Sequence, residues 1–81
     1  MSTNKTETRI WFFVKAFEGS ESQRAALVQM IQLHVAGVST ETLRKLWQTH
    51  FPWDDHSSFT SRLLELERGG YIQSEREADL F

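Results

Sequence analysis

One stretch, from Ser57 to Ile72, does most to limit what this chain can become. It begins with polar residues suited to a helix start. Phe59, Leu63 and Leu66 then recur at i, i+4 and i+7, which places them on one helical face. Gly69 and Gly70 follow, and a glycine here can take the positive φ that closes a helix. Tyr71-Ile72 reads as the start of a strand. The spacing thus predicts a packed helix that stops abruptly and turns into β structure.

Within this run Ser61-Arg62-Leu63, Leu66-Glu67, Gly70 and Ile72 fall in a pattern common in winged helix-turn-helix proteins, S-R-L-x-x-L-E-x-x-G-x-I. The stretch resembles their recognition helix and first wing strand, and the resemblance covers the last half to two-thirds of the chain. It implies a mainly α fold with a small β-hairpin: a three-helix core plus a wing. It also implies a binding function, because winged helices bind DNA, RNA or other proteins.

At 81 residues the chain is expected to form one small domain, from 9 to 81. A chain of this size buries only about 60% of its unfolded surface, so most large side chains belong in the core. Six Phe, three Trp and one Tyr supply that core. There is no cysteine, which removes disulfides, thiol catalysis and cysteine-based zinc sites. No apolar run approaches the ~18 residues of a membrane span, and no secretory leader pattern opens the chain. A cytoplasmic protein is the natural expectation. Met1 to Thr8 is polar, Thr-rich and expected to fray as a flexible tail.

Residues 9–18 are aromatic and β-branched, which fits a strand, while Ile10, Phe13, Val14 and Phe17 fit a helical stripe. The spacing tips the reading to helix. So much aromatic surface needs a cover, either the domain or a second copy docked through 9–18. Ser20 and Gln23 have capping-box spacing, so a helix is expected from about 20 to 36, stopping at Gly37. Leu27, Val28, Ile31 and Val35 form one stripe, with Ala26, Met30 and Leu33 beside it. A helix apolar on two sides packs on two sides. Ser39 or Thr40 can cap a second helix, 40–50, with Leu43, Leu46, Trp47 and His50 inward. Pro52 ends it, and Asp54 or Asp55 can cap a third helix, 55–68. Gln73 to Arg76 reads as a wing turn and Ala78 to Phe81 as a return strand.

For a helix 55–68 docked on DNA, the side opposite the apolar stripe carries Ser57, Ser61, Leu64, Glu65 and Arg68. His56, Thr60 and Arg62 lie toward its leading end and flanks. Hydroxyl, imidazole and guanidinium groups can meet base edges and phosphates. The expected DNA contacts are His56, Ser57, Ser61, Arg62 and Arg68, with Arg44, Lys45 and Arg76 adding backbone or minor-groove contacts. Charge argues the other way. Residues 54–81 hold three basic side chains against seven acidic ones, whereas 1–53 hold six against four. Affinity for duplex DNA rests largely on neutralised phosphates. An acidic helix carrying Leu64 suits a protein partner with a basic surface, engaged through Asp54, Asp55, Leu64, Glu65, Trp53 or Trp11.

The remaining candidates favour structural roles. His34 lies near an apolar helix face and is expected to pack or hydrogen-bond there. His50, Asp54 and His56 match no helical H-x-x-x-H pair, so no metal is expected. His56 beside Ser57 and Ser58 is adjacency, not a catalytic geometry, and Gly69-Gly70 follows a helix where a phosphate loop would precede one. No catalysis and no cofactor are expected. The residues alone weigh DNA and protein binding equally; the resemblance tips the reading to DNA. By analogy with small winged helices of phages and mobile elements, the expectation is a DNA-binding transcriptional or accessory regulator, dimeric through 9–18. Its alternatives are a protein-binding winged helix acting as an inhibitor or nucleic-acid mimic, and a helical module without a wing.

Overall fold

The computed structural model describes residues 9–54 and 56–76, with the backbone alone for His56 and Ser57. In chain order the elements are β1 (Arg9–Phe13), α1 (Ser22–Gln32), β2 (Val38–Ser39), α2 (Thr40–His50), α3 (His56–Arg68) and β3 (Ile72–Arg76). The strands form one antiparallel sheet in the order β2-β1-β3. Three helices and a three-stranded sheet therefore share one core, built on Trp11, Leu27, Ile31, Leu43, Trp47, Phe59, Leu63, Leu66 and Ile72.

The helical expectation for 9–18 is overturned. Arg9–Phe13 is the central strand, and irregular chain follows it. Alternation decides the matter. Trp11 and Phe13 face the helices, with Trp11 fully buried, while Ile10 and Phe12 turn to the other side of the sheet. That second side is also partly covered. The loop before β2 passes so close that a Cβ on Gly37 would lie 2.6 Å from the Phe12 ring and 2.7 Å from Ile10. Gly37 has φ +98, so it provides both the turn and the clearance. A strand apolar on both faces mimics a helical pattern, which explains the misreading.

Expectations for the helices held more closely. Ser39 caps α2, accepting from the Thr42 backbone N–H at 3.2 Å. Glu21, not Ser20, caps α1, accepting from the Arg24 N–H at 2.8 Å. α1 ends at Gln32, earlier than expected, in a turn closed by His34 N–H to Ile31 O and Gly37 N–H to His34 O. This early stop lifts Val35 and Leu33 off the apolar stripes, and they are 95% and 81% exposed. His34 does hydrogen-bond on its helix, its Nδ1 lying 2.9 Å from Met30 O.

α3 ends as the glycine pair predicts. The Tyr71 N–H reaches Leu66 O at 3.0 Å and the Gly70 N–H reaches Glu67 O at 3.1 Å, with Gly70 at φ +84. This is a Schellman closure, and it turns the chain directly into β3. The expected wing turn at Gln73 to Arg76 is instead this strand. Its partner is β1, in the register Arg9↔Arg76, Trp11↔Ser74 and Phe13↔Ile72. The expected return strand at 78–81 and the expected tail at 1–8 lie outside the described residues. Among those residues no helix is long and apolar enough to cross a membrane.

Candidate functional site

α3 is held on two flanks. Toward α1, Arg62 donates from Nη2 to Gln23 Oε1 at 3.2 Å, with Glu21 Oε1 at 3.8 Å and Glu65 Oε1 at 3.9 Å from its other nitrogens. Arg24 donates to Glu65 through Nε at 3.0 Å and through Nη2. Gln23 also donates from Nε2 to Asp54 Oδ2 at 3.1 Å, tying the α2–α3 loop to α1. Toward the sheet, the Ser74 hydroxyl donates to Glu67 Oε2 at 2.6 Å and accepts from Arg9 Nη1 at 2.8 Å.

Between these flanks Ser61, Leu64 and Arg68 stay uncovered, Leu64 being 42% exposed. They recur at i, i+3 and i+7 on the side away from Phe59, Leu63 and Leu66, which are buried. Ser57 belongs to the same helical side by spacing, and α3 begins at His56. Nothing more is described for either side chain, and Asp55 lies outside the described residues.

The open face is thus smaller and less basic than the sequence suggested. Arg62 occupies the α1 flank with only 25% of its side chain exposed, and its buried Nε has no hydrogen-bond partner among the described residues. Glu65 is exposed but engaged. Its hydrogen bond from Arg24 holds the carboxyl below its ordinary value; desolvation opposes this, and the charges of Arg24, Arg62 and Arg68 add to the lowering. On α2, Lys45 is exposed and Arg44 half-buried.

The sheet supplies what the helix lacks. Arg9 and Arg76 are register partners at one end of β1 and β3, and alternation sets both on the side of Trp11 and Ser74, facing α3. Like charges directly opposite in an antiparallel pair are destabilising. Ser74 engages Arg9, while the Arg76 side chain stands exposed. Sequence reasoning found Arg76 but missed Arg9, because only the pairing of the two distant strands brings them together.

The tryptophans divide. Trp11 is removed as a binding residue: it is fully buried, and its indole N–H donates to the Thr40 hydroxyl at 2.7 Å. β1 also lies between two strands, so it offers no free edge to a second copy. Trp47 is interior as expected, packed on Phe59 and Phe51 at ring-centroid distances of 5.6 and 4.7 Å. Trp53, in the loop, sets its ring edge-on to Phe51 and remains 75% exposed. Among the described residues no group of three His, Asp or Glu side chains could hold a metal ion. Comparison of the chain with protein-family models, with curated proteins and with solved structures finds no match.

Proposed function

We propose that this chain is a winged-helix-type domain that docks on duplex DNA as a small regulator. The open face of α3 enters the major groove, and the Arg9–Arg76 end of the sheet lies against the phosphates beside it. The observation that carries this reading is the cross-strand arginine pair, joined through Ser74 to Glu67 of α3, the same helix whose Ser61, Leu64 and Arg68 stay uncovered. A like-charge pair costs stability on its own and gains when an anion bridges it. The pair occupies the place of a wing, built here from β1 and β3 in place of a hairpin turn.

Because Arg24 and Arg62 are engaged within the domain, few cations remain for phosphate. Arg9, Arg68, Arg76 and Lys45 together predict a shallow salt dependence, with a log–log slope of about −3 to −4. The test is binding to a mixed pool of short duplexes titrated with salt. Arg68→Ala and Arg76→Ala should each reduce the slope by about one. Arg62→Ala should change fold stability and leave the slope alone. Absence of binding even at low salt would sink the reading.

One observation favours a second reading. Trp53 is three-quarters exposed in the loop that leads into α3, where Leu64 is also exposed, and tryptophan is enriched at protein-binding hot spots. A partner protein with a basic surface would then occupy the same region. Failure to bind DNA, together with capture of a partner that Leu64→Asp abolishes, would select it.

A further inference from the structure

Among the described residues, the second apolar stripe of α1 has no complete cover. Ala26, Met30 and Leu33, with Gln29 and with His50 at the end of α2, line an open groove of about 240 Å³. Met30 is buried at its base, while Leu33 and the nearby Val35 are almost wholly exposed. Leu33 thus stands exposed on the groove wall, and Val35 follows two residues later in the chain. Exposed apolar surface of this kind marks an interaction site.

The charge pattern identifies the occupant. From Ala25 to Thr40 the chain has no Asp, Glu, Lys or Arg, and from Leu46 to Trp53 it again has none. These two uncharged runs meet at the groove, through α1 and the end of α2. A twofold contact sets one patch against its own copy, so any net charge in it repels itself. Elsewhere the surface carries charge of both signs, as on α3, where Arg62 and Arg68 stand with Glu65 and Glu67. A basic or acidic protein partner would find no complementary charge at this groove, whereas an identical patch meets itself without repulsion. Met30, flexible and polarisable, suits the adaptable floor of such a contact.

We infer that the groove between α1 and the C-terminal end of α2 is a self-association surface, with Leu33 and Val35 of each copy set against the groove of the other. The contact is distinct from the open face of α3 and forms with or without nucleic acid. If α3 docks on DNA, the pairing presents two such helices and doubles the cations per complex.

The test is sedimentation of the full chain, free of nucleic acid, over a rising concentration series. The wild type should move from the mass of one chain to that of two. Leu33→Asp should weaken the association about a hundredfold, because each copy would bring an unpaired carboxylate into an apolar contact. Val35→Asp should act in the same direction. Both positions are exposed, so the denaturation midpoint of each variant should stay near that of the wild type. Leu64→Asp, on the other surface, should leave the association unchanged. A wild type that stays monomeric throughout overturns the inference. So does a dimer that survives Leu33→Asp, or one that Leu64→Asp dissociates.

Discussion

Trp11 and Trp53 are the same residue put to opposite uses. Trp11 sits in the middle strand, enclosed by helices and with its N–H satisfied by Thr40. Thr40 in turn donates to the Arg9 carbonyl at 3.2 Å, so one hydroxyl joins β1, the start of α2 and the indole. Trp53 sits in a turn closed by the Asp54 N–H on Phe51 O, its ring edge-on to that of Phe51. The first holds the fold together. The second is surface that the fold leaves available.

Substitutions can break that contrast, and the largest effect belongs to Trp11. Trp11→Ala should cost about 3–5 kcal/mol, read from chemical denaturation, because it empties a fully enclosed site. A cost under about 1 kcal/mol would mean that the strand is not interior. Thr40→Val should cost about 1–3 kcal/mol by leaving the Trp11 N–H without an acceptor. At Trp53 the expected change in stability is within about 0.5 kcal/mol, so Trp53→Ala separates folding from binding. A large loss there would show that the loop tryptophan braces Phe51 and Trp47.

The smallest expected effect concerns α3 and pH. Glu65 has its carboxyl lowered in the folded state, chiefly by the Arg24 hydrogen bond. Its stabilisation is therefore complete above the unfolded-state carboxyl value and is lost as pH falls through the lower folded value. Glu65→Gln should be less stable than wild type at neutral pH, with the gap closing in acid. A gap that persists in acid would assign the effect to something other than ionisation.

The sequence spoke clearly where structure is local. Ser39, Leu43 and Trp47 announce α2, and Phe59 through Gly70 announces α3 and its closure, because caps and helical spacing act within a few residues. It was silent where partners lie far apart. Nothing near Arg9 shows that its neighbour is Arg76, and nothing near Arg62 shows that Glu21 and Gln23 will draw it off the open face. Ile10 and Phe12 are apolar because the Gly37 loop crosses them, so β1 lost the alternation that would have marked it. The early end of α1 was hidden for a related reason, since Leu33 and Val35 continue its apolar spacing without belonging to its core.

The position of β1 also bears on the order in which the domain comes into being. Among the described elements the middle strand is made first, and its longer partner, β3, is made after the others. Until Ile72–Arg76 has been synthesised, β1 is held only by the two residues of β2, with one side of its backbone unpaired and Trp11, Phe12 and Phe13 close by. Contacts between such distant segments slow folding, and an open apolar strand edge invites pairing with other chains. Nascent or C-terminally shortened forms should accordingly depend on chaperones and aggregate where the finished domain does not, and the last strand acts as the latch that ends that exposure.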